Sequence, residues 1–284
     1  MLALFQQNPG YFIAVATILG LVVGSFLNVV IHRLPRILQA QWAAEFSEED
    51  ADPADKKYNL AFPASHCPSC NAPIKPWQNL PLISWLLLKG RCASCQVKIH
   101  WRYPAVELAT GLLTGFAAWY IGAVAPVIYV FLAIWILVAL IAIDIDCYLL
   151  PDTLTLPLLW AGLIANSMGW FTDLDSALWG AVAGYLSLWI IFWLFKLATG
   201  KEGMGYGDFK LLAALGAWMG WQALPMIILI SSLVGAVLGI LAILIYGRDK
   251  AKPIPFGPYL AIAGLLVFFF DDFIRQAIPL FAGL

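Results

Sequence analysis

Apolar runs long enough, or nearly long enough, to cross a bilayer recur at about 10–31, 104–124, 126–143, 153–171, 177–198, 208–221, 223–246 and 258–281. A hydrocarbon core of about 30 Å takes about 20 helical residues. The pattern therefore predicts an all-α polytopic membrane protein with about eight transmembrane helices. The sixth run is short, as suits a helix that starts or breaks inside the membrane beside a cavity. A single sizeable polar region, 32–103, separates the first run from the second. The chain thus divides into an N-terminal transmembrane helix (1–31), a polar loop domain (32–103) and a seven-helix membrane domain (104–284). Within the loop, Glu45 to Lys57 is acidic and then basic, and reads as a solvated segment.

Composition supports the membrane reading. The chain is 62% hydrophobic and 12% charged, about half the charged share usual in soluble domains. A net charge of −1 gives no reason to expect a nucleic-acid partner. The first run has neither a basic flank before it nor a small-residue cleavage site, so it reads as a retained anchor. Nine of the sixteen Lys and Arg residues fall between Arg33 and Arg102. With Lys196, Lys201, Lys210, Arg248, Lys250 and Lys252, fifteen of the sixteen share one face, and Arg275 stands opposite. By the positive-inside rule that face is cytoplasmic and both termini lie outside. The glycine pairs Gly20/Gly24, Gly111/Gly115 and Gly235/Gly239 predict closely approaching helices.

The loop carries Cys67-Pro-Ser-Cys70 and Cys92-Ala-Ser-Cys95, two C-x₂-C knuckles separated by 21 residues. Two such knuckles complete a tetrahedral Cys₄ shell, the usual structural Zn²⁺ site, so Cys67, Cys70, Cys92 and Cys95 are the predicted metal ligands. A reducing cytoplasmic face disfavours disulfides, and a loop this small gains folding energy from metal. His66 and His100 flank the knuckles and read as surface or supporting residues. Cys147 stands alone and reads as a small residue at a helix end.

No G-x-S-x-G elbow and no H-E-x-x-H helix is present, so serine-hydrolase and zincin chemistry lack support. Carboxylates remain. Asp208, in Gly205-Tyr206-Gly207-Asp208-Phe209-Lys210, opens an apolar run; Asp144-Ile145-Asp146 closes another. Both fall on the cytoplasmic side. A carboxylate near hydrocarbon is costly and calls for a functional or pairing reason. Two acids sharing a proton activate water for peptide hydrolysis without metal or cofactor. On a continued helix Asp144 and Asp146 point about 200° apart, so one of them at most faces Asp208, and helix geometry alone does not say which. Asp152, after Pro151, reads as a residue at a helix N-terminus.

Gly205-Tyr206-Gly207-Asp208 matches the GxGD motif of intramembrane aspartyl proteases, and the whole chain resembles the bacterial type IV prepilin peptidase family. The resemblance is carried by Gly24-Ser25-Phe26-Leu27-Asn28 through His32-Arg33-Leu34-Pro35, the two knuckles, Arg102-Tyr103-Pro104 with Glu107, Lys201 to Lys210, and Pro253-Ile254-Pro255-Phe256-Gly257-Pro258-Tyr259. In that family the first catalytic Asp stands seven residues before the Pro of a Leu-Pro-Asp element. Counted back from Pro151, that is Asp144; the second is the Asp of GxGD, here Asp208.

The resemblance implies a bacterial inner-membrane enzyme that cleaves the basic leader from type IV prepilins and type II secretion pseudopilins, after Gly and often before Phe. It implies as well N-methylation of the new amine from S-adenosylmethionine. No Gly-rich nucleotide fingerprint is present, so no ligand for that donor is named. Glu107 could meet a cation such as the substrate amine, or pair with Arg102 or another loop residue. The alternative is a transporter or channel with intramembrane acids and a zinc-binding regulatory loop, which predicts acids strung across the membrane. Oligomeric state is not readable from the chain.

Overall fold

The protein is described here from a computed structural model, covering residues 2–46, 58–246 and 254–278. The Glu45–Lys57 stretch lies largely outside the described residues, as do Arg248, Lys250 and Lys252. Among the described residues there is no strand, and the chain is built from ten α-helices: α1 (Leu2–Gln7), α2 (Pro9–Phe46), α3 (Ile83–Leu87), α4 (Arg102–Ile121), α5 (Pro126–Cys147), α6 (Asp152–Ser167), α7 (Leu174–Thr199), α8 (Tyr206–Met219), α9 (Leu224–Tyr246) and α10 (Gly257–Ala277). Among the described residues, each of the eight apolar runs falls mainly on one of these helices. Among the described residues five segments are both long and apolar enough to cross a membrane: Pro9–Glu45, Pro126–Cys147, Leu174–Thr199, Trp221–Leu241 and Gly257–Ala277. The chain is therefore a multi-pass, mostly helical membrane protein. Helix α8, with 14 residues, extends only about 21 Å, short of a full crossing.

The chain forms two compact units, Met1–Ala139 and Leu140–Leu284. In the first, α2 runs on through Pro35 to Phe46 and packs along α4. Glycines set that approach. A Cβ at Gly24 would stand 2.8 Å from Glu107 Cα, and one at Gly20 would stand 2.9 Å from the Thr110 carbonyl. Gly111 takes Leu21, and Gly115 takes Thr17, in return. The small residues four apart do here what small residues do in membranes, bringing backbones into contact.

The second unit is organised around α8. From Asp208 to Trp218 it is buried apart from Lys210, enclosed by α6, α7, α9 and α10. Such a helix must be apolar all round, and Phe209, Leu211 and Leu212 are completely buried. Gly180 of α7 meets Gly216 of α8, and a Cβ at Gly184 would lie 2.7 Å from the Leu212 carbonyl. The Gly180/Gly184 spacing is a close-packing pair that the sequence reading passed over. Asn166 locks the far end of α8. Its Nδ2 donates to the carbonyls of Ala217 (2.8 Å) and Trp218 (3.1 Å), while its Oδ1 accepts from Phe171 (3.2 Å) and Thr172 (3.1 Å).

Candidate active site and cysteine cluster

Asp208 stands in the first turn of α8, where exposed N–H groups favour a negative charge. Gly205 precedes the helix in extended conformation, and its N–H donates to Asp208 Oδ2 at 3.2 Å. The carboxylate thus reaches back to cap its own helix. Asp144 lies in the last turn of α5. Both acids are buried, 5% and 6% exposed for Asp144 and Asp208.

The two carboxylates interact electrostatically, and one leucine joins their surroundings. Leu150 packs against Gly207 and Gly257 together: Cβ atoms at those glycines would stand 2.7 and 2.9 Å from its side chain. A Cβ at Gly257 would also lie 2.7 Å from Asp144 Oδ2. The Gly257 N–H approaches the Asp144 carboxyl, but Oδ2 has no partner in hydrogen-bond geometry among the described residues. An unsatisfied buried carboxylate oxygen beside a second acid is poised to accept a proton or a polar ligand.

Asp146 and Cys147 are exposed, so the fold draws Asp144, and not its neighbour, towards Asp208. Asp152 begins α6 and receives Lys210 Nζ on both oxygens, at 2.6 and 2.7 Å. That pair ties the start of α6 to the start of α8. The sequence reading had missed Gly257 and Leu150 as parts of this site. The Pro-Phe-Gly-Pro run around Gly257 was the available signal, but nothing in it named the partner.

The four predicted ligand cysteines meet in the first unit. The Sγ atoms of Cys67, Cys70, Cys92 and Cys95 all lie within 4.8 Å of one another, and Cys67 and Cys95 are 3.8 Å apart. A tetrahedral shell with Zn–S bonds of about 2.3 Å has edges of about 3.8 Å, so the donor set fits a metal. The knuckles are copies of one turn. Asn71 N–H donates to the Cys67 carbonyl at 2.9 Å and Gln96 N–H to the Cys92 carbonyl at 3.1 Å, with φ of 56° and 59° at these two residues. The N–H groups of Cys95 and Ser94 favour the Cys92 thiolate and hold its pKa down at about 6. Those of Ser69 and Cys70 lower Cys67 likewise. Cys95 has the Val97 N–H in its favour, yet loss of water and the neighbouring thiols push it up to about 11. His66 and His100 stay exposed outside the cluster. Glu107 does not pair with Arg102; its Oε2 accepts from Leu82 N–H at 2.8 Å.

Comparison with known sequences places this arrangement. Residues 18–121 match the Bacterial Peptidase A24 N-terminal domain, and residues 130–240 match the Type IV leader peptidase family. A prepilin leader peptidase/N-methyltransferase of Stutzerimonas stutzeri is 56% identical over 281 residues, spanning 98% of this chain and 97% of its own length. The chain belongs to the prepilin leader peptidase/N-methyltransferase family. Proteins of the same name from Pseudomonas aeruginosa (54% identical; 100% of this chain, 99% of that one) and Aeromonas salmonicida (53%; 97% of each) agree. No solved structure matches the chain significantly. Within the family, the N-terminal domain match takes in both knuckles, and the leader peptidase match takes in both Asp144 and Asp208. The transporter reading has no support from these relatives.

Proposed function

We propose that this protein is an integral-membrane aspartyl endopeptidase that removes the leader from type IV prepilins and pseudopilins, and then N-methylates the new N-terminus. The observation that carries the reading is the pair Asp144 and Asp208, both buried, each at a helix end in the second unit, with Leu150 packed against Gly207 and Gly257 between their surroundings. In the cleavage step the ionised carboxylate takes a proton from water, whose oxygen bonds to the scissile carbonyl carbon. The protonated carboxyl gives its proton to the carbonyl oxygen. Collapse of that adduct breaks the C–N bond, and the amine leaves with a proton returned from the pair. Asp146 stands outside this exchange.

Functionally the chain has three parts: the anchor 1–31, the zinc-bound loop domain 32–103, and the protease domain 104–284. About eight membrane crossings fit the apolar pattern, with the short α8 starting or ending inside the membrane. The charge distribution supports a cytoplasmic loop domain and active-site face with periplasmic termini, in a bacterial inner membrane. Zn²⁺ held by Cys67, Cys70, Cys92 and Cys95 would hold the two knuckles together and take no part in hydrolysis. Methyl transfer from S-adenosylmethionine to the α-amine forms an N–C bond, breaks the C–S⁺ bond to leave a thioether, and releases one proton.

Purified protein incubated in detergent with a prepilin, followed by mass measurement, tests both activities. The expected product has lost its leader and gained one methyl group. An unshortened substrate with the folded wild type refutes the peptidase reading; a shortened, unmethylated product in the presence of donor refutes the second activity.

A further inference from the structure

The first unit encloses a cavity of about 570 Å³ that hydrolysis by the aspartates does not use. It is walled by α2, the start of α4 and both knuckles, and its volume falls in the range of small-molecule sites, roughly 300–1,000 Å³. Three lining groups have electrostatic or hydrogen-bonding capacity that the described residues leave unmatched.

The first is Glu107, 9% exposed. Its partners among the described residues are neutral: the Leu82 N–H and the Ser25 hydroxyl. A buried carboxylate without a cation is costly. The second is Arg33, 7% exposed. Its guanidinium donates to the carbonyls of Asn59 (2.9 Å), Leu60 (3.5 Å) and Pro63 (2.7 Å) and lies 5.6 Å from the centre of the Tyr58 ring. These partners carry no net charge, and a guanidinium has five donors to place. The third is Trp85, whose indole Nε1–H is buried with no partner among the described residues.

One buried anion, one buried cation and an unmatched N–H on a single cavity describe a zwitterionic headgroup joined to an acceptor-bearing ring. We propose that this cavity binds the S-adenosylmethionine methyl donor, with Glu107 against the α-ammonium, Arg33 against the α-carboxylate and the Trp85 N–H on the nucleoside. The inference rests on the methyltransferase reading and adds to it the location of the donor and the residues that hold it. Glu107 belongs on the ammonium and not on the sulfonium for a physical reason. The sulfonium loses its charge as the methyl group transfers, so a carboxylate against it would stabilise the ground state more than the transition state. The ammonium keeps its charge throughout. Cys67 and Cys92 line the same cavity, so a metal held by the four cysteines would also fix a wall of the donor site.

The test is calorimetric titration of the full-length protein in detergent with S-adenosylmethionine and, separately, with S-adenosylhomocysteine, which keeps the ammonium but lacks the sulfonium charge. Glu107→Gln is expected to weaken both ligands by a similar factor, about tenfold or more, with zinc content and melting temperature unchanged. Equal binding by wild type and E107Q overturns the proposal, and so does a loss confined to S-adenosylmethionine. Wild-type protein that cleaves prepilin but binds neither ligand overturns the methyltransferase reading itself, a separate failure. Because E107Q also alters the Leu82 contact, wild-type protein provides a second readout. A photoreactive 8-azidoadenosyl analogue is expected to label peptides within 25–36 or 58–107; labelling confined to 140–284 overturns the assignment.

Discussion

Gly257→Ala is the most local perturbation of the candidate active site. Gly257 is the first residue of α10, and its φ needs no glycine, so an alanine costs the backbone nothing there. The added methyl carbon meets three atoms at once: Asp144 Oδ2 at 2.7 Å and the two Leu150 Cδ atoms at 2.9 and 3.0 Å. A comfortable contact requires ~3.4 Å or more, so Asp144 must retreat by ~0.7 Å and Leu150 by ~0.5 Å. Leu150 is itself closed in by Gly207, the residue before Asp208, which leaves little room on that side. A misplacement of about 1 Å at a reacting group costs on the order of 100-fold in rate. G257A is therefore expected to lower kcat for prepilin cleavage by about 10- to 100-fold, with a change in melting temperature too small to account for the loss. Gly10→Ala serves as the control, since a Cβ there has nothing within 4 Å. The assay is time-resolved mass measurement of cleaved prepilin at saturating substrate. Wild-type turnover by G257A would show that Asp144 is not held at the reaction centre by this contact, and would refute the reasoning.

Asp144→Asn and Asp208→Asn are each expected to abolish cleavage with the fold intact, whereas Asp146→Asn, at an exposed position, should retain it; gel separation of precursor and product distinguishes the three. Asn166→Ala removes four buried hydrogen bonds and should cost about 2–4 kcal/mol, read as a lower denaturation midpoint in mixed micelles. Metal uptake should release protons. At about pH 7.5 the Cys92 thiol, at about 6, is already ionised, whereas Cys95, at about 11, must give up its proton to ligate. Metal affinity therefore falls as pH falls, and titration enthalpies should vary with the ionisation enthalpy of the buffer; invariance would show that Cys95 does not bind as a thiolate.

The parts legible in the sequence were those set by spacing along the chain. Eight apolar runs became helices because a helix satisfies its own backbone in hydrocarbon whatever its neighbours do. The knuckles were legible because each C-x₂-C pair makes its turn locally, from Cys67 to Asn71 and from Cys92 to Gln96. Tertiary packing decided the rest. Helix periodicity could say that Asp144 and Asp146 face different ways, but which faces inward depends on what α5 packs against, and only the folded chain buries the first and exposes the second. Gly257 and Leu150 became parts of the Asp144 environment through contacts more than 100 and only six residues away in the chain, respectively. No local preference encodes such a meeting. Likewise Glu107 and Arg33 sit on separate helices, and their sharing of one cavity follows from the close approach that Gly24 permits. The sequence by itself determined the helices, the paired cysteines and the chemistry available; three-dimensional packing alone decided which charges are buried together, because burial is a property of neighbours and not of residues.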